Sequence, residues 1–176
     1  MGYAGGTTAA PTYRNIGDHT ETLQVDYDPT VVSYAALLDV FWKSHQPDRR
    51  SWSRQYMSAI FTHDAEQQRL AEKSMEETAR RLGKTLHTRI LQFTGFTRAE
   101  DYHQKYYLKG YRDIYREIQA RFATEQAITD ATEAARMNGY LGGYGSPDGV
   151  DALQAVMQLS PGTLQRLKDS AGSANR

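Results

Sequence analysis

The sequence predicts an α+β fold. Two observations carry this. Short stretches with period-two alternation of side chains lie near 22–27, 56–61 and 87–93, as strands require. Between and after them lie longer stretches whose apolar residues recur every three to four positions, as on one face of a helix. The two patterns interleave with connections that allow antiparallel pairing, so a mixed or antiparallel sheet flanked by helices is expected.

Each element has a local reason. Residues 2–20 read as an ordered loop, because Gly2, Gly5, Gly6 and Pro11 oppose regular structure. In ETLQVDYDP, Leu23, Val25 and Tyr27 face one way, and Asp28-Pro29 ends the strand. Ser33 is an N-cap for a helix whose stripe is Leu37, Leu38, Phe41 and Trp42. HQPDRRSWS is a polar loop, and RQYMSAIF is the second strand. Asp64, with Gln67 three residues on, starts the longest helix, expected over 65–82 and stopped by Gly83. HTRILQF is the third strand. AEDYHQKYYLKG reads as a helix ending near Gly110. YRDIYREIQARF follows with Tyr111, Ile114, Tyr115, Ile118 and Phe122 on one face. The tail alternates short helices with a break at NGYLGGYGSPDG, and residues 170–176 are expected to fray.

Bulk properties narrow the function. The chain has 176 residues, enough for one domain with a short appendage. Its 21 basic and 21 acidic residues cancel, which gives no electrostatic case for nucleic acid or a membrane surface. No apolar run of about 18 residues is present, so no membrane span is expected. No secretory pattern is visible, and a cytoplasmic location is the default expectation. Zero cysteines exclude disulfides, thiolate metal sites and cysteine nucleophiles within these residues. The five histidines form no HExxH or other short ligand motif, so no metal site is expected. Within GDHTE, Asp18, His19 and Glu21 read as a turn whose side chains bond the loop backbone. Tyr3, Tyr13, Trp52 and Tyr56 lie in or beside loops. They either pack over a sheet edge or form an aromatic pocket with polar tips, suited to a small sulfur-containing or methyl-bearing group.

The opening MGYAGG poses a question, because a glycine-rich turn normally links two elements and only a methionine precedes it here. GYAGGTTAAPTYRNIGDHTETLQVDYDP, LLDVFWKSH, RQYMSAIF and AEDYHQKYYL together resemble the type A peptide methionine sulfoxide reductases, in the family's order and spacing. The resemblance covers residues 2 to about 109 and reaches the tail only loosely. It implies a two-layer α+β sandwich lacking its first strand and helix, with a family domain over 1–125 and a helical tail over 126–176 packed on it. In the family a strand, a GCFWG motif and a helix precede the GYAGG loop. The GCFWG cysteine attacks the sulfoxide sulfur and becomes a sulfenic acid.

Carried over residue by residue, the resemblance assigns Tyr3 and Tyr56, the latter after Gln55, to the sulfoxide oxygen. Asn15 stands where a proton-donating glutamate is expected and Ser51 where an aspartate is expected. Gln55, Trp52 or Glu21 can take over from the absent groups. No cofactor is implied; the reductant is thioredoxin or dithiothreitol. The implied partners are oxidised methionine in proteins or free methionine sulfoxide, bound by a monomer. Two functional readings follow: a reductase whose cysteine- or selenocysteine-bearing segment lies outside this sequence, or a non-catalytic pseudoenzyme that binds methionine or methionine sulfoxide side chains.

Overall fold

A computed structural model describes residues 1–175 and confirms the α+β class. The chain divides into two compact units, Met1–Glu100 and Asp101–Arg176.

The first unit holds all five strands found among the described residues. Strand β1 (Gly2–Ala4) lies in the middle of a three-stranded antiparallel sheet, between β2 (Thr20–Thr22) and β5 (Phe96–Arg98). Tyr3 pairs with Glu21 on one side and Thr97 on the other. The expectation of a loop at GYAGG is therefore corrected for Gly2–Ala4. Gly2 is needed for close approach: a Cβ there would lie 2.2 Å from the Phe96 ring and 2.4 Å from the Thr97 carbonyl oxygen. Its glycine signals packing inside a strand as much as a turn.

The second sheet is a parallel pair, β3 (Ala59–Thr62) with β4 (Arg89–Gln92), joined by helix α2 (Ala65–Leu82). The expected bounds of α2 are met at both ends. Asp64 accepts from the Gln67 amide, Gln67 accepts from the His63 amide, and Gly83 closes the helix at φ 64°. Helix α1 (Tyr34–Lys43) begins at the Ser33 cap. Its Leu38 and Trp42 form a small core with Ile60 and Ala71. The Trp42 indole N–H donates to Ser74 Oγ at 2.9 Å, so the buried ring leaves no orphan donor.

The expected strand at 22–27 shifts to Thr20–Thr22, and Leu23 and Val25 are exposed. The cause is length: β1 offers partners only from Gly2 to Ala4, so the ladder ends where β1 does. The strand expected at 56–61 likewise starts later, at Ala59, because 53–56 form a turn.

The second unit is helical. A 3-10 turn (Asp101–His103) and α3 (Tyr106–Gly110) replace the single helix expected there, with Lys105 between them at φ 50°. Then follow α4 (Arg112–Gln119), α5 (Glu125–Asp130), α6 (Thr132–Leu141), α7 (Pro147–Met157) and α8 (Pro161–Ser170). Their core includes Leu108, Ile114, Ile118, Ile128, Met137, Leu153 and Leu167. The stripe read from YRDIYREIQARF lies on this core, with Tyr111, Tyr115 and Phe122 partly buried beside it. Caps separate the helices: Thr124, Ser146 and Ser160 each accept an amide three residues on. Fraying of 170–174 is corrected, since Ala171 is buried in the core and the Ala174 amide donates to Gly143 O at 2.9 Å. Arg176 lies outside the described residues.

Candidate functional site

The site is built by two loops of the first unit that meet at β2. The first, residues 5–19, is tied at its base. The Asp18 carboxylate accepts from the Thr7 and Thr8 amides, at 2.8 and 3.0 Å, and from both threonine hydroxyls. These bonds, the amides foremost, hold its carboxyl far below the usual carboxylate range. His19 is buried beside it. Its Nδ1 accepts from the Gly6 amide at 3.3 Å and its Nε2 faces Thr8 O at 2.9 Å. An amide can only donate and a carbonyl only accept, so these two contacts cast Nδ1 as the acceptor and Nε2 as the donor. The turn reading of GDHTE thus holds for Asp18 and His19.

The tip of this loop is a tight turn closed by reciprocal backbone bonds between Thr12 and Asn15. It presents Tyr13, 42% exposed. The Tyr13 amide donates to Glu100 Oε1 at 3.0 Å, and the Tyr3 hydroxyl donates to Glu100 Oε2 at 2.7 Å.

The second loop, residues 51–57, docks on the outer edge of β2. The Glu21 amide donates to Gln55 O at 3.0 Å, and the Thr20 hydroxyl donates to Arg54 O at 2.9 Å. Arg54 in turn donates to Gly5 O at 2.8 Å, closing the two loops together. This docking satisfies the open edge of a three-residue strand and brings Gln55 beside Glu21.

Here several polar side chains converge. Gln55 Nε2 donates to Glu21 Oε1 at 2.7 Å and to the Tyr56 hydroxyl oxygen at 3.1 Å. The Tyr56 and Tyr13 hydroxyls are hydrogen-bonded to each other. That bond first, then burial and the Glu21 charge, push the Tyr56 phenol up from its ordinary value. The Trp52 indole lies 5.3 Å from the Tyr56 ring and is 83% exposed. The Tyr13 and Tyr56 phenols, the Glu21 carboxylate and the Gln55 amide thus gather in one cluster, with the Trp52 indole against the Tyr56 ring. Phenols can donate to an oxygen that gains negative charge, the carboxyl can exchange a proton with it, and the indole can hold an apolar group.

The residues expected from sequence divide sharply. Tyr56 and Gln55 lie in the cluster. Tyr3 does not: it is 1% exposed, and its hydroxyl is engaged by Glu100. Asn15 is an exposed turn residue, and the Ser51 hydroxyl donates back to Ser53 O at 2.8 Å. Glu21 and Tyr13 are the residues the reading undervalued. A signal for Glu21 was present, because strand alternation places it on the same face as Leu23 and Val25, an unusual position for a carboxylate that only solvates a surface. Among the described residues no group of three or more His, Asp or Glu gathers as a metal site would require, and no helix is long and apolar enough to cross a membrane.

Comparison with known proteins gives this arrangement its class. The chain belongs to the peptide methionine sulfoxide reductase family, whose profile matches residues 1–136. It is 41% identical over 163 residues to a peptide methionine sulfoxide reductase of Drosophila melanogaster, covering 92% of this chain and 65% of that protein. It is 41% identical over 146 residues to peptide methionine sulfoxide reductase A5 of Arabidopsis thaliana, covering 79% of this chain and 56% of that one. The chain therefore spans less than two thirds of the length of either relative. Among solved structures, Mxr1 from Saccharomyces cerevisiae in reduced form superposes with a TM-score of 0.58 at 29% identity, covering 63% of this chain and 69% of that one.

Proposed function

We propose that Tyr13, Glu21, Gln55 and Tyr56 form the oxygen-binding side of a methionine sulfoxide reductase site. The single observation that carries this is the Gln55 side-chain amide, which donates to both the Glu21 carboxylate and the Tyr56 hydroxyl. It locks an acid–base group next to a pair of hydrogen-bond donors. The substrate is methionine sulfoxide, in proteins or free. Tyr13 and Tyr56 donate to its oxygen, and Trp52 lies where an S-methyl group can rest. A thiolate attacks the sulfur and forms a transient sulfur–sulfur bond. The oxygen then bonds to the thiol sulfur as the sulfur–sulfur bond and the sulfoxide S–O bond break. This leaves the thioether of methionine and, once the oxygen is protonated, a sulfenic acid. Sulfur of the substrate gains two electrons and the thiol sulfur loses two. Glu21 is the acid–base group through which the oxygen takes up its proton. Two further thiol equivalents, from thioredoxin or dithiothreitol, return the sulfenic acid to thiol and release water.

These 176 residues contain no cysteine. Hydroxyls are hard nucleophiles and poor at attacking sulfur, so the thiolate has to come from outside them. The chain by itself is then a binding half-site, and Glu21 replaces Asn15 as the proton donor.

The test is methionine formation from N-acetylmethionine sulfoxide with dithiothreitol. The 176-residue chain should give none. Joining a strand, a GCFWG segment and a helix to its N-terminus should restore turnover, and Glu21→Gln in that extended chain should lower kcat by about 100-fold. Turnover by the cysteine-free chain would overturn the scheme. An extended chain that binds the sulfoxide without reducing it would support the second reading, a pseudoenzyme. That reading is favoured by an assembled site in a stretch with no thiol.

A further inference from the structure

We propose that Glu100 is the positioning residue of the oxygen-binding cluster, a bridge that fixes Tyr13 to the centre of the sheet. The inference rests on the reading above, in which Tyr13 meets the sulfoxide oxygen. Three observations carry it. Tyr3 is an immobile anchor: it lies in the middle strand, paired on both sides, and is 1% exposed. Glu100 is anchored too, because it follows β5 directly and the neighbouring Ala99 amide donates to Met1 O at 3.1 Å, prolonging the pairing of β5 with β1. Tyr13, by contrast, stands on an exposed turn, the kind of segment that opens most easily.

One carboxylate joins these two environments. Oε2 accepts the Tyr3 hydroxyl at 2.7 Å and Oε1 accepts the Tyr13 amide at 3.0 Å, across 97 and 87 residues of sequence. A bond at the Tyr13 amide fixes the peptide plane from which its side chain departs. A small rotation there becomes a large displacement at the phenol oxygen, the atom that meets Tyr56 and the substrate. This also accounts for a buried tyrosine at position 3. Its ring fills the sheet, while its hydroxyl orients Glu100. Both bonds end on the same carboxyl group, at 2.7 and 3.0 Å, so they hold it from two sides.

Positioning can be separated from acid–base action by the chemistry of the replacement. In Glu100→Gln, the amide oxygen can still accept from the Tyr13 N–H and the amide nitrogen can donate to the Tyr3 oxygen. Glu100→Ala has neither. The experiment measures binding of N-acetylmethionine sulfoxide methylamide to the 176-residue chain by NMR, together with the Tyr13 amide shift and its hydrogen exchange. Glu100→Ala should weaken binding about tenfold, move the Tyr13 amide proton upfield and remove its protection, while amides of β1 stay protected. Glu100→Gln should bind within about threefold of wild type and keep the Tyr13 amide protected.

An unchanged Tyr13 amide in Glu100→Ala would overturn the inference. So would Glu100→Gln as damaging as Glu100→Ala, since charge and not geometry would then be the requirement. Should Glu100→Ala not fold, Tyr3→Phe decides: a shifted, less protected Tyr13 amide supports the bridge and an unmoved one overturns it. Failure of the wild-type chain to bind the sulfoxide would refute the proposed function alone, because the response of the Tyr13 amide still reads the bridge.

Discussion

Among the described residues, fourteen buried apolar side chains gather in the core of the second unit; the core of the first unit gathers four. The first unit instead spends its side chains on backbone. Asp18 takes up the amides of Thr7 and Thr8, Glu100 takes up that of Tyr13, and Arg54 and Thr20 stitch one loop to another. The helical unit is held by apolar area, which is non-directional and tolerant of small shifts. The first unit is held by directional bonds, which fix where a particular atom stands at modest net stability per bond. Positioning of a phenol or a carboxylate needs the second kind. The two units should therefore break in different ways.

The largest effect is expected from Ile118→Ala. This side chain is 0% exposed on the inner face of α4, and its truncation should cost about 3–4 kcal/mol, read as a lower urea midpoint by far-ultraviolet circular dichroism. A loss under about 1 kcal/mol would mean that apolar packing is not what holds this unit.

Next is Glu117→Ala, which removes one of the polar ties of the helical unit. Its carboxylate accepts from the Ser160 amide and hydroxyl, the Thr163 hydroxyl and Arg121, all at 2.6–3.2 Å, and so pins the start of α8 to α4. Burial raises its pKa, but the Thr163, Ser160 and Arg121 bonds outweigh this and leave it lowered. A lowered folded value means that its stabilisation is complete above the unfolded value, near 4.5, and fades as pH falls through the folded one. The substitution should cost about 2 kcal/mol at pH 7, and the difference from wild type should shrink when the melts are repeated at pH 3. A constant difference would show that the carboxylate charge is not involved.

A smaller loss should come from Trp42→Phe in the first unit. It keeps most of the buried ring and deletes the indole donor to Ser74. About 1–2 kcal/mol is expected in thermal melts, with Trp42→Ala costing at least twice that.

The smallest effect is local. Asp18→Asn should hardly move the global midpoint, yet hydrogen exchange at the Thr7 and Thr8 amides should quicken. In the wild type the protection of the same amides, relative to their intrinsic exchange, should be complete above the unfolded value of 3.8 and be lost as pH falls from there toward the depressed folded value. Protected Thr7 and Thr8 amides in Asp18→Asn would show that the loop base does not depend on this carboxylate.

Much of the fold was legible. Helix α2 could be read from end to end because Asp64, Gln67 and Gly83 act within one turn of it. The stripe on α4 could be read because helical periodicity is local. The strands were harder. Phe96–Arg98 carried no alternation long enough to notice, and Gly2–Ala4 looked like a turn until its neighbours were in place. Short strands are defined by their partners, and the partners of β1 lie about 20 and 95 positions away along the chain. Lys105, at positive φ, broke a helix that composition alone would have continued.

The sequence by itself determined the family, the α+β class, the helix caps and the absence of a thiol within these residues. Those properties depend on residue identity and on spacings of a few positions. Only the tertiary structure decided which polar groups come together. Gln55 reaches Glu21 across 34 residues, and Glu100 reaches Tyr13 across 87. In the site proposed above the acid is accordingly Glu21 and not Asn15, and Tyr3 is an anchor and not a substrate contact. The physical reason is that a hydrogen bond is specific to ångströms and degrees, and no spacing in the sequence encodes a contact at that precision when its partners lie on different elements.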